Sequence, residues 1–180
     1  KNDFQLEIIK ALEVYADRYK PENIILASPA FYKEDLLRKI SSQELKDLVV
    51  PATCSDISES SLDEVIKQPE LATVLKNSRA RQERLLVEEL LSEINKDELA
   101  AYGWEEVEKA IAAGAVSKLL ITDVYIKEAR RRGSYTVIDE RMKQVDNLRG
   151  EIKIISSDHE SGKKLNGLGG IAAILRYKLR

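Results

Sequence analysis

Cysteine occurs once, at Cys54, so no disulfide can form within the chain, and the expected setting is a reducing cytosol. Histidine also occurs once, at His159, so a zinc site, which needs three or four nitrogen or sulfur ligands, has too few donors. No apolar run approaches the ~18 residues that a membrane-spanning helix requires, and the chain opens on no signal peptide. There is no repeat and no low-complexity tract. A strong charge of one sign is missing as well. Residues 1–95 carry 13 basic and 18 acidic side chains, a net of −5, and residues 96–180 carry 16 and 13, a net of +3. A domain that coats RNA would be far more basic.

The 180 residues hold 43% hydrophobic and 33% charged side chains, enough for a packed core and short of a disordered composition. Phe4, Ile8, Ala11, Leu12 and Tyr15 recur at helical spacing, and Pro21 ends that helix. Because Lys1 already falls inside this helical pattern, the expectation is a piece of a longer protein. The run 23–27 reads as a buried strand, 31–44 as a helix and 46–53 as a second strand. Ser61 and Glu64 have capping-box spacing, which predicts a helix start at Ser61. A helix restarts near Pro69, and Ser78 can cap a longer one running to Ile94. The polar Lys96-Asp97-Glu98 is taken as the domain boundary, giving domains 1–96 and 97–180. Beyond it the alternation resumes, with helices over 104–113, 137–148 and 161–168 and strands over 118–122, 151–156 and 171–177. The basic stretch 127–133 reads as the loop leading into the middle helix. The fold class is α/β in two domains.

Four groups invite a chemical reading. Gly167, Gly169 and Gly170 do not make a nucleotide loop, because Gly162-Lys163 is followed by Lys164 and the cluster precedes a strand; close packing is the expected role. Cys54 and His159 would form a nucleophilic pair only in an activating environment. Asp56, Glu59, Asp63 and Glu64 would hold a cation only if their oxygens converged, whereas a helix N-terminus accounts for Asp63 and Glu64. Arg130, Arg131 and Arg132, with Lys127, read first as a solvated loop, with a contact to RNA phosphates or to an acidic protein partner as the alternative. No catalytic set and no cofactor site emerge.

The run from Tyr102-Gly103-Trp104 through Leu119-Leu120-Ile121-Thr122-Asp123 resembles the opening of the C-terminal domain shared by class-1 release factors and Pelota-type ribosome-rescue factors. Ser156-Ser157-Asp158-His159-Glu160-Ser161-Gly162 and Gly170 to Tyr177 are similar to the end of that domain. Leu26-Ala27-Ser28-Pro29-Ala30-Phe31 is similar to a family loop usually read Pro-Gly-Phe, with Ala30 replacing the glycine. Release factors insert a small subdomain between the second and third strands. Only residues 123–150 stand there, which with the Ser-Ser-x-His-x-x-Gly run favours the Pelota type.

That resemblance implies a truncated ribonuclease-H-like central domain and a C-terminal α/β/α sandwich of the kink-turn-binding ribosomal-protein type. It implies a cytoplasmic monomer acting in mRNA surveillance, which recognises stalled ribosomes in no-go decay and promotes subunit dissociation. The implied partners are an elongation-factor-1-alpha-type GTPase, an ABC-family ribosome-recycling ATPase and the ribosome with its stalled mRNA. Pro29, Ala30, Phe31, Ile174, Leu175, Arg176 and Tyr177 would meet the GTPase. Within a strand, Ile174 and Arg176 would share one face, and Ala173, Leu175 and Tyr177 the other. Divalent-metal endoribonuclease activity is attributed to some family members, so a divalent metal enters for the full-length family. A termination-factor fragment and a structured-RNA-binding ribosomal-type protein are the alternatives.

Overall fold

The computed structural model describes residues 2–29 and 32–179. The chain divides into two units, 1–78 and 79–180.

The first unit runs α1 (Asn2–Tyr19), β1 (Ile24–Ser28), α2 (Tyr32–Lys39), α3 (Gln43–Leu48), β2 (Val49–Thr53), α4 (Ser60–Ile66) and the first turns of α5 (Pro69–Lys96). β1 and β2 pair in parallel, from Ile24 opposite Val49 to Ser28 opposite Thr53. Successive side chains on β1 enter opposite layers, as the strand period requires. Ile24 and Leu26 pack with Ile9, Leu36, Ile40 and Leu45, while Ile25 packs with Ala52, Cys54, Val65 and Leu71.

Two local expectations fail here. The pattern over 31–44 is two helices, because Ser42 leaves the first and caps the second, accepting the Leu45 amide at 3.2 Å. The capping box at Ser61 does not form. Glu59 is the N-cap of α4, and Ser61 is buried inside the helix, hydrogen-bonded to Asp56. Glu64 reaches back instead to the amide and hydroxyl of Ser55, at 3.0 and 2.8 Å.

The second unit takes the rest of α5 and continues with β3 (Ala100–Tyr102), α6 (Trp104–Ala112), β4 (Val116–Thr122), α7 (Asp123–Arg131), α8 (Tyr135–Asn147), β5 (Glu151–Ile155), α9 (Glu160–Gly167) and β6 (Ile171–Leu175). The sheet order is β3-β6-β4-β5, with β4 and β5 parallel and β6 antiparallel to both of its neighbours. Both faces are covered. Val107, Ile111, Ile138 and Val145 of α6 and α8 pack on Leu119, Ile121, Ala173 and Leu175. Val87, Leu90 and Leu165 of α5 and α9 pack on Leu120, Ile155, Ala172 and Ile174. This is the α/β/α sandwich.

The boundary drawn at 96/97 moves back to 78/79, because the apolar face of α5 beyond Ser78 is one outer layer of the second sandwich. α5 is unbroken, so Ser78 is no cap. β3 has only three residues, too few for a pattern to declare. The basic stretch is a helix, not a loop: Thr122 caps α7 by accepting the Tyr125 amide at 3.2 Å, and the helix runs to Arg131.

Candidate functional site

Every residue of β6 is buried, since this strand lies between two others under helices on both faces. Ile174 and Leu175 are each 5% exposed. They belong to the core and are removed from the candidate docking set. The strand ends at Leu175, so the expected alternation through Tyr177 holds only up to that residue. Arg176 and Tyr177 turn out of the sheet and are exposed. The Arg176 amide donates to the Ala115 carbonyl at 2.8 Å. Its guanidinium donates to the Leu148 carbonyl at 2.7 Å, at the end of α8. The Tyr177 hydroxyl donates to the Ala113 carbonyl at 2.5 Å, at the end of α6. Each closes one of the carbonyls that a helix C-terminus leaves unpaired, and a cation there suits the helix dipole.

The opposite end of the same sheet is built from the glycine cluster and the Ser-Ser-x-His run. Gly170 has φ +78°, and a Cβ on it would meet Tyr125 Cδ2 at 2.9 Å and Thr122 Oγ1 at 3.2 Å. The packing role expected for the cluster is observed at Gly170; a Cβ on Gly167 would meet nothing within 4 Å. Loop 156–159 is pinned by two carboxylates. Glu83, 4% exposed, accepts the Ser156 amide at 2.9 Å and holds Arg79 at 2.7 Å. Asp123 accepts the Ser157 amide at 2.9 Å and pairs with Lys127 at 2.9 Å. Burial would raise the Asp123 carboxyl, but the bonds from Lys127 and Ser157 outweigh it and hold the group well below the usual carboxylate range. Sequence reasoning missed both carboxylates because their partners lie 73 and 34 residues away. His159 is the N-cap residue of α9 without a side-chain cap bond, and Cys54 is a buried thiol of the first unit.

The arginine triplet closes α7. Arg131 and Arg132 share Glu128, at 2.6 and 2.7 Å. The Arg130 guanidinium stacks over the Tyr135 ring, 4.6 Å from its centroid. Hydrogen bonds from Arg131 and then Arg132, against a smaller desolvation effect between them, hold the Glu128 carboxyl below its ordinary value. In the first unit, Pro29 follows β1 and is half-buried; Ala30 and Phe31 lie outside the described residues. The acidic group does not converge. Asp56 is bound by Ser58 and Ser61 and Glu64 by Ser55, and the described residues contain no cluster of three metal-ligating side chains.

The family model for eRF1 domain 3 matches residues 80–179, beginning where the second unit begins. A Pelota homologue of Pyrococcus furiosus is 39% identical over 97% of this chain and 48% of its own. The Pelota chain in a structure of ribosome-bound archaeal Pelota and ABCE1 matches 99% of this chain and 50% of its own at 33% identity and a TM-score of 0.66. Dom34 of S. cerevisiae, a translation termination-like factor involved in RNA quality control that interacts with Hbs1, matches 99% and 53% at 31% identity and a TM-score of 0.59. The chain spans about half the length of the relatives it matches. Among the described residues no helix is long and apolar enough to cross a membrane. Matched by the domain model over more than half its length, and similar from end to end to Pelota homologues, the chain belongs to the eRF1 domain 3 family on its Pelota side.

Proposed function

We propose that this chain is the partner-docking part of a cytoplasmic ribosome-rescue factor, acting in mRNA surveillance with an elongation-factor-1-alpha-type GTPase and an ABC-family ATPase. The observation that carries the reading is the likeness over nearly the whole chain, both units included, to Pelota homologues. The interaction of Dom34 with Hbs1, and the binding of archaeal Pelota to the ribosome alongside ABCE1, support the choice of partners. The chemistry of the chain agrees with an adaptor. Glu83 and Asp123 pin a loop, Arg176 closes a helix end, and the sheet of the second unit is filled by aliphatic side chains.

Within this reading Arg176 and Tyr177 face the GTPase, together with the loop at Pro29, Ala30 and Phe31. Arg130 is the member of the triplet for a phosphate contact on the ribosome, since its two neighbours are both engaged by Glu128. The test is capture from an archaeal lysate on the immobilised chain, with partners identified by mass spectrometry. Enrichment of a translational GTPase is the expected result. Recovery of RNA and ribosomal proteins alone, with a steep salt dependence, would instead favour a structured-RNA-binding protein.

A further inference from the structure

Three turns that are far apart in sequence meet at one end of the second sheet. The parallel strands β4 and β5 begin there, at Val116 and Glu151, and the antiparallel β6 ends there, at Leu175. The turns 113–115 and 148–150 and the exit at 176–177 are thus neighbours. Arg176 binds the Leu148 carbonyl and Tyr177 the Ala113 carbonyl. Leu148 Cδ1 lies 3.6 Å from where a Cβ on Gly114 would stand, so the side chain reaches the first turn.

The surface made this way has an unusual composition. Leu148 and Tyr177 leave 45% and 49% of their area in solvent, side by side with exposed Arg149 and Arg176. Several other cations of the unit find carboxylates: Arg131 and Arg132 hold Glu128, Arg141 holds Glu108, and Lys118 holds Glu89. Among the described residues neither Arg149 nor Arg176 meets a carboxylate; Glu151, the nearest acid in sequence to Arg149, holds Lys153 instead at 2.8 Å, and Asp146, in the last turn of α8, gives its carbonyl to the Arg149 amide at 2.8 Å. Arg149 is also held at φ +59°, a left-handed conformation in which glycine would be relaxed. The turn itself is an ordinary helix end, closed by the Arg149 amide on the Asp146 carbonyl and the Gly150 amide on the Val145 carbonyl, where glycine is the usual residue; the arginine is not what the turn requires.

We propose that Leu148 and Arg149 join Arg176 and Tyr177 in one docking surface, whose occupant is a carboxylate-bearing apolar segment of the partner GTPase. The proposal rests on the functional reading above. Two guanidinium groups that meet no carboxylate of their own, beside two apolar anchors, complement such a segment. An RNA backbone would use the arginines and leave Leu148 and Tyr177 without a role.

The experiment is calorimetric titration of the chain with an archaeal elongation-factor-1-alpha-type GTPase loaded with a non-hydrolysable GTP analogue, beside thermal melts. Leu148→Ser and Arg149→Glu are each expected to weaken binding about tenfold, and Lys163→Glu on α9 to change nothing. Arg149→Gly separates binding from folding: it is expected to weaken binding while its melting temperature equals or exceeds the parent's. If the parent binds and these variants bind equally well, the surface lies elsewhere and the inference fails while the functional reading stands. If the variants lose affinity for ribosomal RNA and keep it for the GTPase, the assigned occupant is wrong. If the parent itself does not bind, the functional reading falls and the inference with it.

Discussion

Glu83 is almost wholly buried, and a buried carboxylate survives only when its charge is met. Here Arg79 meets it from one helical turn away and the Ser156 amide from the far side of the sequence. Removing the side chain leaves that amide without a partner. Glu83→Ala is therefore expected to cost about 1–3 kcal/mol in urea unfolding, and Glu83→Gln less, because a carboxamide oxygen still accepts from Ser156. Equal losses would show that the hydrogen bond is not what matters. Asp123 pins the next residue of the same loop and has a folded pKa below its unfolded one. Such a group adds stability above its unfolded value of about 3.9, and that share is lost as pH falls below it toward the folded value. Asp123→Asn should therefore be less stable than the parent at neutral pH, with a shallower acid-induced loss below about pH 4. Parallel acid-unfolding curves would remove the assignment. Gly162 completes the loop, since a Cβ there would run into the Ser156 carbonyl. Gly162→Ala should destabilise by about 1–3 kcal/mol in the same unfolding assay, as overpacking does.

At the scale of elements, the sequence was clearest where a period is long and its ends are marked. The helix closed by Gly114 and the strands at 118–122 and 151–155 stand within two residues of their expected places. It was opaque where a few atoms decide. Ser61 had the spacing of a cap, but the Asp56 carboxylate captured its hydroxyl and Glu64 went to Ser55. The run of cations at 127–132 hid a helix whose start was written in Thr122 and Asp123, a cap followed by an acid in the first turn. The resemblance puts Ile174 and Leu175 of the terminal strand at the docking surface, whereas the whole strand is buried. Its burial follows from its place between two strands of a four-stranded sheet under two helix layers, which a period alone cannot report. The candidate site was half legible for the same reason: Arg176 and Tyr177 stand on the surface, Ile174 and Leu175 do not, and Leu148 and Arg149 became visible only once the topology brought their turn beside them.

For the molecule as a whole, the decisive point is where one unit stops. The polar residues at 96–98 are a helix end within the second unit, and the second core begins with Val87 and Leu90. The sole tryptophan, Trp104, packs against the opposite core of that unit, so its fluorescence reports the unit's unfolding. Leu90→Ala should lower the stability read from Trp104 by about 2–5 kcal/mol. A Trp104 transition unmoved by Leu90→Ala would return the boundary to 96/97.

The central claim is the proposed docking of a translational GTPase on this chain. Sedimentation equilibrium of the purified chain with the GTP-analogue-loaded GTPase measures it most directly. A one-to-one complex, absent when the GTPase is omitted and weakened by Arg176→Ala, is the predicted result. Two species that sediment independently at every concentration tested would contradict the account.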